Sequence, residues 1–148
     1  MKVERGDPRH PEATALLQQS HALMRELFPP EENYFLDIDE LCTPDVLFFV
    51  AVDEGKILGT AAMALKDGYG EVKSMFVDPT ARGKGIADAL MTALDRAAAA
   101  NDLPRLRLET AEILTAAVKL YSRHGFAPCP LFGDYVPNSS SLFMEKRL

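Results

Sequence analysis

At 148 residues, with 47% hydrophobic and 26% charged side chains, the chain has enough length and apolar content for one compact domain spanning 1–148, and too little for two. A formal net charge of -6 excludes a general nucleic-acid binder, which needs a basic face to displace counterions from phosphate. Any anion site must therefore be local.

No apolar run approaches the length of a membrane span, and Met1 to Asp7 lacks the apolar core of a secretory signal. A soluble cytoplasmic protein with no membrane partner is expected. Cys42 and Cys129 fit no metal-ligand spacing, and His10, His21 and His124 are scattered. Free thiols and no bound metal follow.

In chain order, Lys2 to Arg5 reads as a short strand, and Gly6-Asp7-Pro8 turns the chain into a helix that runs to about Leu27. Ala13, Leu16, Leu17, Met24 and Phe28 recur at helical spacing, and Pro29-Pro30 stops it. His21 falls near that stripe, where a histidine is ordinarily a hydrogen-bonded packing residue. From Glu31 to Asp45 carboxylates alternate with Tyr34, Phe35, Leu36 and Ile38, which predicts a covering loop or short helix. Most of those carboxylates form a solvated face, but negative potential there would also draw in a cationic amine. Glu31 and Tyr34 are the first candidates for a substrate wall.

Val46 to Val52, Ile57 to Leu65 and Glu71 to Val77 are strands joined by the turns Asp53-Glu54-Gly55-Lys56 and Lys66-Asp67-Gly68-Tyr69-Gly70. Asp78-Pro79 closes the third. Ile86, Leu90, Leu94 and Ala97/Ala98 then form one stripe of a helix that ends near Ala100. Leu103 to Leu108 reads as a strand, Ile113 to His124 as a helix closed by Gly125, and the apolar stretch from Phe126 toward Phe132 as a further strand. Gly133 to Asn138 is a loop by its turn residues, and Ser141 to Glu145 a last strand. This order predicts an α+β domain: a mostly antiparallel central sheet of six to seven strands with helices on both faces. The strand pair flanking the Ile86 helix is joined through that helix and should be parallel.

Between strand and helix lies Arg82-Gly83-Lys84-Gly85-Ile86-Ala87. The first amides of a helix have no internal partners and the helix dipole is positive there, so a phosphate docks on backbone wherever side chains leave room. Gly83 and Gly85 leave that room, although both also suit a tight turn. The pattern is neither a nucleotide-triphosphate loop nor a dinucleotide fingerprint, since each needs glycines that this stretch lacks.

Glu71-Val-Lys-Ser-Met-Phe-Val77, Arg82-Gly-Lys-Gly85-Ile-Ala87, Leu108-Glu109-Thr110 and Leu120-Tyr121-Ser-Arg-His-Gly125-Phe126 together resemble the GCN5-related N-acetyltransferase (GNAT) superfamily, over roughly Val46 to the C-terminus. The resemblance implies acetyl-CoA as co-substrate, with its pyrophosphate on Arg82 to Ala87 and its pantothenate arm along the backbone of Met75, Phe76 and Val77. It implies acetyl transfer to a primary amine of a small molecule or peptide, directly and within a ternary complex. Tyr121 occupies the place of the general acid in many members. Glu71 stands eleven positions before Arg82, the offset of the catalytic glutamate in the histone-modifying branch. Strand parity would put Glu71, Lys73, Met75 and Val77 on one face, and burial there would raise the Glu71 carboxyl. Glu109 is the competing base, and a water chain would serve either.

Asp134 and Tyr135 are expected to form the wall facing Glu31 and Tyr34. The chain departs from the family at Leu114, where members often carry Asn or Gln, and at Ala111, where many carry Gly. That departure keeps a second reading in view, a non-catalytic acyl-CoA-binding or sensing module of the same fold. A homodimer is compatible with either.

Overall fold

The computed structural model describes residues 1–148. In chain order it has β1 (Lys2–Arg5), α1 (Pro11–Leu27), α2 (Ile38–Leu41), β2 (Val46–Asp53), β3 (Lys56–Lys66), β4 (Tyr69–Val77), α3 (Ile86–Ala100), β5 (Arg105–Ala111), α4 (Thr115–Arg123), β6 (Ala127–Pro128) and β7 (Ser141–Arg147). Single 3-10 turns cover Pro30–Glu32 and Pro79–Ala81. One seven-stranded sheet runs in the order β1-β2-β3-β4-β5-β7-β6. Every neighbouring pair is antiparallel except β4 and β5, the pair joined through α3.

Each face of the sheet is covered by helices. On one, Ala13, Leu16 and Leu17 of α1 and Leu41 of α2 pack on Phe48, Val50, Ala62 and Ala64. On the other, Ile86, Leu90, Met91, Leu94 and Ala98 of α3, with Leu120 and Tyr121 of α4, pack on Ala61, Met63, Leu106 and Leu108. Gly59 permits this close approach. A Cβ there would lie 2.9 Å from Ile86 Cγ2 and 3.1 Å from Leu90 Cδ1, so the first turns of α3 rest against bare backbone.

Several boundaries differ from the sequence expectation for local reasons. β5 begins at Arg105 because Pro104 has no N–H to give a ladder, and it continues through Thr110 and Ala111, which pair with Leu142 and Ser141 of β7. Leu114, at φ -82 and ψ 66, lies outside helical geometry, so α4 starts at Thr115 and not at Ile113. The stretch after Phe126 yields only the two-residue β6. Pro128 and Pro130 interrupt its donors.

The most consequential difference lies inside β4. Lys73 pairs with Ala62 and Phe76 with Thr60, so Ser74 and Met75 together oppose Ala61 in a β-bulge. Ser74 takes φ 54, and its carbonyl accepts a 2.8 Å hydrogen bond from Thr60 Oγ1. The extra residue inverts the alternation. Glu71 and Lys73, opposite Ala64 and Ala62, face the α1 side, whereas Met75 and Val77 pack with the α3 cluster. The expected common face for Glu71, Lys73, Met75 and Val77 is therefore corrected.

Candidate active site

β4 and β5 are in register only at Gly70 with Leu106 and Glu71 with Arg107. Beyond Glu71 the bulge turns β4 away while β5 stays with β7, and the two strands splay. A cleft of about 160 Å³ opens between Val72 to Met75 on one side and Glu109 to Ala111 on the other, roofed by α1, the 32–35 segment and α4. Tyr121 lines it from α4.

The glycine-rich turn follows β4 and leads into α3, and none of its residues lines the cleft. Gly83 and Gly85 sit at φ 82 and 79, a region that side chains with a Cβ rarely adopt, and no heavy atom lies within 4 Å of where either Cβ would be. The amides of Gly83 to Asp88 have no backbone acceptor, and the helix ladder begins with Ala89 N–H to Gly85 C=O at 3.1 Å. Arg82, Gly83, Lys84 and Gly85 are exposed, Ile86 is buried in the core and Ala87 is half-buried. Arg82 places its guanidinium 5.9 Å from the Phe76 ring centroid. Asp88 would oppose an anion at this helix end, but its carboxylate accepts from Arg123 Nη2 and His124 Nε2, both at 2.7 Å. These bonds hold its carboxyl below the usual carboxylate range and tie the start of α3 to the end of α4.

Under the splayed strands lies a buried polar knot. Glu71 is only 4% exposed, yet its Oε2 lies 3.2 Å from Lys73 Nζ and accepts from the Tyr135 hydroxyl at 2.5 Å. Lys73 Nζ also donates to Tyr135 Oη at 2.8 Å and to the Tyr34 carbonyl at 3.0 Å. Tyr34 meets the Tyr135 ring edge-on at 4.9 Å. Burial, then the Glu71 charge, push the Tyr135 hydroxyl far above its ordinary pKa, which keeps it a donor. Glu71 and Lys73 thereby anchor both substrate-wall segments expected from the sequence.

Glu109 lies on the cleft wall, with Oε2 accepting from Ser141 Oγ at 2.7 Å. Burial raises its carboxyl above the ordinary value, and the nearby Glu71 and Glu32 charges add, while Ser141 and Lys73 oppose. Tyr121 is 8% exposed, with its ring edge-on to Phe126 at 5.8 Å. Burial and then the Glu109 charge push its hydroxyl well above the ordinary tyrosine value.

Of the expected wall residues, Tyr34 lines the cleft and Tyr135 supports it from behind. Glu31 and Asp134 are exposed and stand outside it. Their neighbour Glu32 takes the place expected of Glu31, with Oε2 accepting from Ser140 Oγ at 2.7 Å. His21 was expected to be a hydrogen-bonded packing residue. It is buried and stacked on Phe35 at 4.1 Å, but its Nε2 has no partner and the residue lines the cleft. Helical spacing put it on the right stripe, and no local signal separates a core position from a cleft position at the end of that stripe.

The splayed strand pair holds ionisable groups in its gap, and the unsatisfied helix start after β4 suits an anion. The profile of the acetyltransferase (GNAT) family matches residues 14–126. An IAA acetyltransferase of Azospirillum brasilense is 39% identical over 99% of this chain and 97% of its own. Among solved structures, a Klebsiella pneumoniae chain described as an acyl-CoA N-acyltransferase superposes with a TM-score of 0.82 at 30% identity, covering 99% of this chain and 97% of that one. A GNAT-family acetyltransferase of Elizabethkingia anophelis, solved with acetyl-CoA bound, has a TM-score of 0.75 at 17% identity over 99% and 97% of the two chains. The chain belongs to the acetyltransferase (GNAT) family.

Proposed function

We propose that this protein transfers the acetyl group of acetyl-CoA to a primary amine of a small molecule or peptide, by direct attack within a ternary complex. The observation that carries the reading is that Glu109 and Tyr121 both line the cleft between β4 and β5, while β4 leads on to a turn where the amides of Gly83 to Asp88 are unsatisfied. The family membership and the acetyl-CoA bound to the Elizabethkingia relative support the donor.

In this reading the turn holds the pyrophosphate through backbone N–H groups, and the backbone from Met75 to Val77 pairs with the pantothenate arm as an added strand would. Backbone donors past the Ser74 bulge offset the negative charge that develops on the thioester carbonyl oxygen. Glu109 takes a proton from the acceptor ammonium, freeing the lone pair that attacks. The C–N bond forms, the C–S bond breaks, Tyr121 delivers its proton to the departing sulfur, and the second proton of the attacking nitrogen replaces it on the Tyr121 oxygen. Its raised pKa keeps that proton in place at neutral pH. Glu71 serves as support for the walls, since its carboxylate is already shared between Lys73 and Tyr135.

The deciding experiment follows thiol release from acetyl-CoA with purified protein and a panel of amines, amino acids and peptides. Release with none of them sinks the proposal. Tyr121→Phe should lower kcat about a hundredfold with KM for acetyl-CoA unchanged, the lower end of the usual contribution of a positioned acid. Wild-type turnover in that variant, together with retained CoA binding, would favour the binding or sensing module that Leu114 suggests.

Gly85→Ala isolates the cofactor end. A Cβ at φ 79 costs about 1–2 kcal/mol and projects beside the free amides. Calorimetry should show CoA affinity falling about tenfold, with the thermal transition lowered by only a few degrees. Unchanged affinity would remove this turn from the binding site.

A further inference from the structure

The charged side chains that line the cleft are two carboxylates and one lysine, and that cation is spent. We infer that the acetyl acceptor is an aliphatic diamine or polyamine without a carboxylate, its reacting amine at Glu109 and a second ammonium at Glu32. This rests on the reading of the cleft as the acceptor site.

Glu32 and Glu109 are held by the hydroxyls of consecutive residues, Ser140 and Ser141, each at 2.7 Å to one carboxylate oxygen. The two acids, one from the roof and one from the β5 wall, are therefore fixed by adjacent residues at the start of β7. Their alignment is independent of any ligand.

An acidic pair alone would identify no occupant. A second observation concerns unsatisfied atoms. His21, only 6% exposed, leaves Nε2 without a partner, and burial followed by the Arg25 charge keeps the ring neutral, so that one ring nitrogen carries a free lone pair. Asn33 spends its amide hydrogens on the Phe28 and Pro29 carbonyls, each at 3.2 Å, which leaves Oδ1 as a buried acceptor with no donor. Both residues line this cleft. Buried polar atoms without partners are costly, and side-chain shifts of the size usual on binding would bring ligand N–H groups to them.

The third observation removes the alternative. An amino-acid acceptor would need a cation for its carboxylate, and the only lysine or arginine in the lining is Lys73. Its three N–H donors already face the Tyr34 carbonyl, Tyr135 Oη and Glu71 Oε2. A substrate carboxylate would meet Glu32 and Glu109 with no free cation to balance it, since the unpartnered hydroxyls of Tyr34 and Ser74 carry no charge. Like charges at that range are repulsive whatever else the ligand contacts.

The matched acceptors 1,5-diaminopentane, L-lysine and 1-aminopentane differ only in the second ammonium and the carboxylate. Thiol release from acetyl-CoA should give a kcat/KM for the diamine at least tenfold above each of the others. Glu32→Gln, which keeps an acceptor for Ser140, should reduce the diamine-to-monoamine ratio about tenfold. Lysine equal to the diamine, a ratio unmoved in Glu32→Gln, or efficient turnover of an unrelated amine with the diamine inert each overturns the inference while leaving acetyl transfer intact. Should no amine release thiol, calorimetry on the CoA-saturated protein decides separately. Diamine binding at least tenfold tighter than lysine supports the inference, and equal or absent binding overturns it.

Discussion

Glu109→Gln should lower kcat about a hundredfold, the usual worth of a positioned general base, while leaving CoA binding unchanged. The substitution is nearly isosteric, and glutamine still offers Ser141 Oγ an oxygen, so the wall keeps its shape. The same variant should be more stable than wild type near neutral pH. Burial raises the folded-state carboxyl above its unfolded value, so the folded protein binds more protons than the unfolded chain between those two values. Stability therefore falls as pH rises through that window, and the glutamine variant lacks this loss. In wild type, kcat/KM should climb over the same window as Glu109 ionises, and the climb should vanish in the variant. If Glu71→Gln abolishes the pH dependence and Glu109→Gln does not, the base is Glu71.

Glu71→Ala should cost the most stability, about 3 kcal/mol or more. Its loss would leave Lys73, whose side chain is 13% exposed, without the carboxylate it pairs with, and Tyr135 with no acceptor. Removing one partner of a buried pair costs more than the pair itself contributes, because the remaining charge keeps its desolvation. Glu71→Gln, which can still accept from Tyr135, should lose less. Urea unfolding of both variants, with the slope against denaturant checked for constancy, separates them. A Glu71→Ala midpoint equal to wild type would mean that water reaches Lys73. The knot also fixes Tyr34 and Tyr135, so KM for the amine should rise in Glu71→Ala more than KM for acetyl-CoA.

The elements that we assign to the donor were legible in the sequence because their signals are local. Gly83 and Gly85 are needed where the backbone must take positive φ, Ile86 to Ala98 repeat at helical spacing, and Leu108-Glu109-Thr110 and Tyr121 to Phe126 stand at fixed offsets along single elements. The acceptor half was legible only as a tendency. The acidic 31–45 stretch predicted an acidic wall for a cationic amine, yet it was Glu32, not Glu31, that faced inward, since one step along a 3-10 turn rotates a side chain by about a third of a circle. Asp134 stayed outside for a similar reason. The loop is pinned by its tyrosine neighbour, whose hydroxyl is sought by Glu71 and Lys73.

By itself the sequence determined the elements, their order, the one parallel pair and the glycine-rich start of α3, all consequences of periodicity and backbone freedom within a few residues. Tertiary structure alone decided the rest. The Ser74 bulge is set by register against β3, and it turns Glu71 and Lys73 to one face and Met75 to the other. The splay of β4 from β5 follows from β5 keeping its pairing with β7, a strand some thirty residues further on. Pairing energies between distant strands leave no periodic trace in either, and so the cleft and the acids that line it became visible only once the sheet was assembled.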